Sequence, residues 1–504
     1  MNLFANINFK KLVVIGALAL TASLFLVFSF NAYPVPAGDS QFFVVPAIQY
    51  RAGAIMASPL FPSEWEIDLI LDPTGQRRFL FYPPFFPLIV SYLSYEASPV
   101  AAFLAIALIN IAVLCLFFIL MYYTVIRNKF SKNNFDWLSV FMMIFGLFAL
   151  ASSLAENGRP EVLARLWVIL GLFVYYFSGK KFDWFCYGIL LGLMFVTHPP
   201  AAIFSILILG ILFGVENKSK DALFKISATT LLSVAFGLLL IGVGPFDAKE
   251  TIDGTFINAL LVKHGASQTN DSWYTVSNLI SHYLASPIAP FYGIALILFS
   301  IASFYFFKTR KDKIKSMIVV LVSFLLLVLV IYKIVVPLGH MFYFALFSPI
   351  IFLVVISFSL ESKRWLKILT ILVFFLVSTG FLRTTALFPY FLKQDAGLDD
   401  ARANYLKLVN DYKGQKFLVG ITGGLWTLTE DYKNVYSYNF WPEKPKENTS
   451  LIFFQQRYSG MINPPEIKGC SIISNSFSNE LPKIFGYKLS NTMPGYGYSA
   501  YSCM

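Results

Sequence analysis

The residue best placed to do chemistry is Asp39, an acidic side chain at a short polar break after the first long apolar run. That run extends from Leu12 to Phe30, and Asp39 follows in the stretch 36–42, Pro-Ala-Gly-Asp-Ser-Gln-Phe. A carboxylate in such a place can act as a general base that takes the proton of an acceptor hydroxyl. The alternative is structural, because aspartate after glycine also suits the N-cap of a helix beginning at Ser40.

A second group of ionisable residues surrounds the stretch 158–161, Gly-Arg-Pro-Glu, which opens a predicted helix. Proline suits the first helical turn, and Glu161 precedes Arg165 by the spacing of an ion pair on one helix face. Charges near a membrane are costly, about 2.5 to 3.5 kcal/mol at its centre, and therefore indicate a cavity. We expect Arg159 to contact a phosphate or sugar, with Glu161 orienting it and Glu156 beside them. A purely structural Glu161–Arg165 pair is the alternative.

Several further side chains in predicted outer loops could bind a phosphate or a sugar. They are Arg78, Lys333 and His340 as cations, His198 beside two prolines, and Tyr82 at the start of a Tyr-Pro-Pro segment. Each also has a simpler explanation. Long cations reach towards lipid headgroups, a tyrosine can belong to the interfacial aromatic belt, and His198 can cap a turn. Both interpretations stay open for every one of these residues.

The composition places these residues in an integral membrane protein. Hydrophobic residues occupy 57% of the 504 positions, charged residues occupy 13%, and phenylalanine occurs 53 times. A soluble surface cannot cover so much apolar side chain, so most of it must face lipid or other helices. Because a bilayer core needs roughly 20 apolar residues per helix, we predict about eleven spans. They are 12–32, 100–126, 136–154, 160–178, 183–197, 199–215, 225–244, 287–307, 315–337, 341–360 and 366–386.

The distribution of lysine and arginine predicts the orientation, since short cytoplasmic loops retain basic residues. Alternate connections contain Lys10 and Lys11; Arg127, Lys129 and Lys132; Lys180 and Lys181; Lys218, Lys220 and Lys225; Lys308, Arg310, Lys311, Lys313 and Lys315; and Lys363, Arg364 and Lys367. The N-terminus is therefore expected in the cytoplasm. Asp39, Glu156, Arg159, Glu161, all four histidines and the chain after about residue 388 are expected outside. The net charge of +11 then reflects topology and anionic lipid, and does not indicate nucleic acid.

Three outer regions are long enough to carry function: 33–99, 245–286 and 388–504. Segment 40–56 has helical apolar spacing and is expected to lie in the membrane interface. In the tail, a helix at 398–412 followed by a buried strand predicts a small α/β domain. The predicted fold is therefore an all-α polytopic membrane bundle over 1–387, with interfacial helices in its first outer loop, and a C-terminal α/β extracytoplasmic domain over 388–504.

The four cysteines fall into two classes. Cys115 and Cys186 lie inside predicted spans and are expected to be packing residues, whereas Cys470 and Cys503 share the tail and could form a disulfide. No Cys or His spacing resembles a zinc site, and no metal or other cofactor is expected.

The order of these features resembles the GT-C superfamily of membrane glycosyltransferases. The similar features are a retained signal anchor, Gly-Asp-Ser at 38–40 in a long first outer loop, Tyr-Pro-Pro at 82–84, Gly-Arg-Pro-Glu at 158–161, a multi-span core and an exported C-terminal domain. That superfamily includes protein O-mannosyltransferases, the aminoarabinose transferase of lipid A and mycobacterial arabinosyltransferases. Many members carry paired acidic residues where this chain has Asp39 followed by Ser40, so the resemblance does not imply metal dependence.

The resemblance implies a polyprenyl-phosphate sugar as donor, a lipid, glycan or protein acceptor from the cell envelope, and Asp39 as the catalytic base. It implies a bacterial inner membrane location with the reaction on the outer face. Two other functions stay open. One is a polymerase or ligase of lipid-linked oligosaccharides, and the other is a lipid or sugar flippase or transporter, which would be expected to show a repeated half and midplane charges.

Overall fold

The computed structural model describes a helical chain with a small sheet near its C-terminus. The described residues are 9–35, 40–54, 56, 83–127, 136–154, 158–178, 182–244, 346–360, 364–393, 398–411, 418–421, 435–438, 451–456, 463–477, 482–484, 487–488 and 495–503. They belong to two compact units. The first unit comprises Met1–Ser23, Ile109–Leu154 and Glu161–Leu382, and the second comprises Leu24–Leu108, Ala155–Pro160 and Arg383–Met504.

The described residues form a series of helices along the chain. They are α1 (Phe9–Phe30), α2 (Gln41–Arg51), α3 (Phe85–Leu93), α4 (Pro99–Arg127), α5 (Trp137–Leu154), α6 (Glu161–Phe177), α7 (Asp183–Thr197), α8 (Pro199–Glu216), α9 (Ser219–Val243), α10 (Ser348–Leu360), α11 (Arg364–Leu392) and α12 (Leu398–Asp411). Five helices of the described residues are long and apolar enough to cross a bilayer: Phe9–Phe30, Pro99–Tyr123, Trp137–Leu154, Ser219–Val243 and Lys367–Leu392.

Wherever a predicted span falls on described residues, the structure has a helix there. Asp183–Thr197 and Ala201–Gly214 are apolar but shorter than a full bilayer crossing. The predicted spans 287–307 and 315–337 lie outside the described residues. The membrane character of the chain is therefore supported by five helices, and the total of about eleven stays a prediction.

The basic ends of several helices lie together in the first unit. Lys11 donates a hydrogen bond to the Tyr122 hydroxyl at 3.3 Å, and the Lys10 ammonium lies 5.9 Å from the centre of the Trp137 ring. Lys367 forms an ion pair with Asp136 at 3.3 Å. The start of α1, the end of α4 and the starts of α5 and α11 thus share one face. The charge alternation along the sequence had placed these four helix ends on the same side.

Two glycines let α7 and α9 approach closely. Gly188 and Gly192 stand four residues apart on α7, and a Cβ at either position would lie under 3.0 Å from a side chain of α9, Leu232 or Phe236. Small residues at this spacing are typical of tightly packed membrane helices. The same pair of helices is joined by the buried Lys225, whose ammonium lies 2.8 Å from the Asp183 carboxylate.

The C-terminal sheet belongs to the second unit. Its strands are β1 (Leu418–Ile421), β2 (Val435–Tyr438), β3 (Leu451–Gln455), β4 (Cys470–Asn475), β5 (Lys483–Ile484), β6 (Tyr487–Lys488) and β7 (Tyr498–Cys503). Five of them form one sheet in the order β2-β1-β3-β7-β4, while β5 and β6 form a separate hairpin. Strand β1 runs parallel to β2 and β3, and β7 runs antiparallel to β3 and β4. With α12 before it, this sheet confirms the predicted α/β character of the tail.

Aromatic side chains join the end of this sheet to the ends of α1 and α11 within the second unit. The ring of Tyr33 packs 5.2 Å from Phe28 and 4.9 Å from Phe391. Its hydroxyl donates to the Thr384 carbonyl at 2.7 Å, and the Tyr496 hydroxyl donates to the Ala32 carbonyl at the same distance. The segment before β7 is therefore fixed to helix ends by both apolar contact and hydrogen bonds.

Cys470 and Cys503 form a disulfide between β4 and β7, where the two residues are direct partners in the strand register. The pairing that the sequence left open is thus present. Cys115 and Cys186, both half-buried in helices, are free.

Replacing both Cys470 and Cys503 with serine should destabilise the C-terminal sheet by about 4 kcal/mol, the chain-entropy value for a loop of this length. The full-length protein in detergent, titrated with urea and probed by pulse proteolysis of the tail, would give the difference. The matched control is the Cys115→Ser/Cys186→Ser variant, which should leave tail proteolysis unchanged. Equal proteolysis of the tail in the two double variants would argue against a stabilising disulfide.

Candidate functional site

The structure describes three of the candidate residues singled out from the sequence: Arg159, Glu161 and His198. The other candidates, Asp39, Tyr82, Arg78, Glu156, Lys333 and His340, lie outside the described residues. Arg159 belongs to the second unit, and Glu161 and His198 belong to the first.

In the second unit, the stretch that contains Arg159 packs directly against the residue that follows Asp39 in the chain. Gly158 adopts a left-handed backbone with φ of 91°. A Cβ at Gly158 would lie 2.7 Å from the Ser40 Cβ and 2.8 Å from a Val44 methyl. Only glycine satisfies both the backbone angle and this close approach. Ser40 and Gly158 are thus brought together, although they are far apart in the sequence.

Helix α2 holds Ser40 in place through its packing against α3. Ser40 and Val44 are fully buried, and the Phe43 ring lies 6.1 Å from Phe86, edge to face. At the far end of α2, the Arg51 guanidinium donates to the Tyr95 carbonyl at 3.1 Å. Helix α2 forms despite Pro46 inside it, as the apolar spacing predicted. Pro46 is the sixth residue of α2, beyond the first turn, so the helix lacks the one backbone hydrogen bond that this position would otherwise donate.

In the first unit, three ionisable side chains are buried where α6 begins and where α7 meets α8. Glu161 and Arg165 stand one helical turn apart on α6 with 3% and 1% exposure, and His198 has none. The His198 Nε2 lies 3.7 Å from a Glu161 carboxylate oxygen, which is ion-pair range and longer than a hydrogen bond. Arg165 is among the largest fully buried side chains of the described residues.

His198 alone forms the corner between α7 and α8. It is both the C-cap of α7 and the N-cap of α8. Its Nδ1 accepts the Ala201 backbone N–H at 3.1 Å, and two prolines follow it at the first helical positions. The neighbouring Thr197 hydroxyl accepts from the Trp167 indole at 3.2 Å and donates to the Leu193 carbonyl. Adjacent residues at the corner therefore contact two different turns of α6.

An apolar cavity of about 90 Å³ lies between α6, α7, α8 and α10. Trp167, Val168 and Leu172 line it from α6, and Tyr187 and Met194 from α7. Val168 and Leu172 continue the helix face that carries Glu161 and Arg165, because they follow at spacings of three and four. The buried charges and the apolar cavity thus occupy successive turns of one face of α6.

A second, larger cavity of about 300 Å³ belongs to the second unit. Asn31 and Phe391 line it at the ends of α1 and α11, and Asp399 and Asp400 line it at the start of α12. Its carboxylates, amide and aromatic ring are the kinds of group that bind hydroxylated ligands. The structural alternative is that Asp399 and Asp400, in the first turn of α12, only complement the helix dipole.

The sequence did not predict the contact of Ser40 with Gly158 or the hydrogen bond between Trp167 and Thr197. The glycine of Gly-Arg-Pro is a signal for unusual backbone, but nothing near it in the chain identifies Ser40 as its neighbour. Trp167 and Thr197 resemble ordinary residues of apolar helices. Arg165 was considered only as the partner of Glu161, and its complete burial depends on how the helices pack.

No protein-family model matches this chain, and no curated protein matches it.

Replacing Gly158 with alanine should destabilise the protein more than replacing Gly53, which has a similar φ of 81° but open space where the Cβ would go. Backbone strain of about 1 to 2 kcal/mol is common to both variants. Only Gly158→Ala adds the overlap with Ser40 and Val44, worth about 1 to 3 kcal/mol more. Thermal unfolding midpoints in detergent would measure the difference. Adding Ser40→Gly to Gly158→Ala should recover part of the loss, and equal midpoints for the two alanine variants would contradict the contact.

Proposed function

We propose that this protein is a membrane glycosyltransferase that moves a sugar from a polyprenyl-phosphate donor to an acceptor of the cell envelope. The observation that carries the proposal is the contact between Gly158 and Ser40. Ser40 and Gly158 belong to the two stretches on which the resemblance to GT-C enzymes rests most, and each adjoins a candidate residue in the sequence, Asp39 and Arg159 respectively. A general base and a phosphate-binding cation have to be close to each other for this reaction.

The chemistry requires few groups. Asp39 takes the proton of the acceptor hydroxyl, the hydroxyl oxygen bonds to the anomeric carbon, and the bond from that carbon to the phosphate oxygen breaks. The polyprenyl phosphate leaves with the bonding electron pair, and a single displacement of this kind inverts the anomeric centre. Phosphate needs no strong general acid, so a cation that stabilises its charge is sufficient. Arg159 is half-buried and is our choice for that cation.

The buried residues of the first unit support an enzyme or a transporter over an inert bundle. Ionisable groups inside membrane helices are rare and usually mark substrate sites or ion paths. Glu161 and Arg165 lie in the first two turns of α6, and His198 lies at a helix corner. This location favours a site near a membrane face over one at the midplane, where coupled transporters place their substrate. A flippase or transporter is therefore our second candidate.

The proposed orientation has the N-terminus in the cytoplasm and the tail outside, in a bacterial inner membrane. The clustering of Lys10, Lys11 and Lys367 at one face of the first unit supports it, because cytoplasmic ends retain basic residues. The Cys470–Cys503 disulfide supports an exported tail, since disulfides persist in oxidising compartments. The acceptor would then be a lipid, glycan or protein on the outer side.

Asp39→Asn should lower sugar transfer by at least about a hundredfold, the usual contribution of a positioned base. The assay offers a panel of radiolabelled polyprenyl-phosphate sugars to membranes that contain the wild type or the variant, and follows label into envelope material. The matched control is Asp411→Asn, which makes the same change at an exposed position at the end of α12 and should leave transfer intact.

Each competing function predicts a different result in the same experiment. A polymerase or ligase of lipid-linked oligosaccharides would rely on arginines, so Asp39→Asn would retain most activity while Arg159→Ala would not. A flippase would move labelled lipid across liposomes without transferring its sugar. Equal transfer by wild type and Asp39→Asn would remove Asp39 from the mechanism.

A further inference from the structure

We propose that His198 is a positioning residue, which holds the Glu161 carboxylate in place and does not itself touch substrate. This inference rests on the proposed function and on the prediction from the sequence that Glu161 takes part in donor binding. It changes the role of His198, which the sequence offered as either a sugar contact or a simple cap. His198 has no exposed surface, and its two ring nitrogens face two different elements of the first unit.

The contacts of His198 fix which nitrogen carries its proton. Nδ1 accepts a hydrogen bond from the Ala201 N–H at 3.1 Å, so Nδ1 must present a lone pair there. The remaining proton of a neutral imidazole is then on Nε2, the nitrogen that lies 3.7 Å from the Glu161 carboxylate. The start of α8 thereby selects the tautomer, and the tautomer presents an N–H to Glu161.

A second contact at the same corner restricts how α6 can move. The Trp167 indole donates to the Thr197 hydroxyl at 3.2 Å, one residue before His198. Trp167 and Glu161 are six residues apart, which corresponds to roughly 9 Å along a helix. Two adjacent residues of the corner thus contact α6 at two separated points, which limits both rotation and sliding of its first turns.

Two substitutions separate the positioning role from a capping role, because each keeps one contact of the imidazole and loses the other. His198→Asn keeps an N-cap acceptor for the Ala201 N–H, but its side chain is too short to approach Glu161. His198→Gln places an amide N–H near the position of Nε2, and is a poor N-cap. If His198 positions Glu161, His198→Asn should be more stable than His198→Gln. It should nevertheless lose more of the sugar-transfer activity.

The expected loss for His198→Asn is roughly a hundredfold in kcat/KM for the donor, as for a small displacement of a binding group. His198→Gln should retain more transfer than His198→Asn at a lower unfolding midpoint. The matched control, His282→Asn, makes the same substitution at a histidine without a role in the proposal and should behave as the wild type. The positioning role would be overturned if the more stable variant, His198→Asn, transferred sugar at least as fast as His198→Gln.

A second measurement does not depend on transferase activity and so distinguishes failure of this inference from failure of the proposed function. Nitrogen-15 chemical shifts of the imidazole should report a bare Nδ1 and a protonated Nε2 for His198, assigned by the signal lost in His198→Asn. Glu161→Gln should shift the Nε2 resonance. A proton on Nδ1, or an Nε2 resonance that ignores Glu161→Gln, would overturn the inference whether or not the wild type transfers sugar.

Discussion

A charge enclosed by apolar helices must have polar neighbours, and the arrangement of the first unit follows from that requirement. Removing a carboxylate or a guanidinium from water costs several kcal/mol unless other groups compensate it. Glu161 and Arg165 are both almost fully buried on α6, and His198 approaches Glu161 from the corner of α7 and α8. The corner therefore has to lie against the start of α6. Three helices are fixed relative to one another by the need to accommodate these side chains.

Besides buried charges, close packing at glycine residues holds segments of each unit together. Between membrane helices the lipid is as apolar as the side chains, so packing and hydrogen bonds replace the hydrophobic effect as the source of specificity. Gly188 and Gly192 supply such packing between α7 and α9. Gly158 supplies it against Ser40 in the second unit, with the additional demand of a left-handed backbone. In each case a side chain from a distant part of the sequence fills the space that a glycine leaves.

Within the described residues, the sequence predicted the helices better than it predicted their contacts, for a physical reason. Apolar length, basic residues and prolines act locally, so α7 was expected at 183–197, the break at His198 was expected from the following prolines, and both are observed. The tail helix and the first strand were expected for the same kind of reason. The approach of Ser40 to Gly158 and of Trp167 to Thr197 depends on how helices far apart in the chain pack together. No local pattern encodes that, and a single sequence gives no record of which residues are neighbours.

Catalysis by a membrane transferase would place opposite demands on two kinds of residue. The base and the phosphate-binding cation must be reachable from the donor and the acceptor, and they therefore belong at a break between helices, as the positions of Asp39 and Arg159 in the sequence suggest. Residues that hold such groups in place act best when water and substrate cannot reach them, because a buried contact is stronger and less variable than an exposed one. His198 and Thr197 fit the second description, since neither has exposed surface, and the half-buried Trp167 is held by the hydrogen bond from its indole to Thr197. Accessibility alone would therefore pass over His198 and Thr197, although both contact α6.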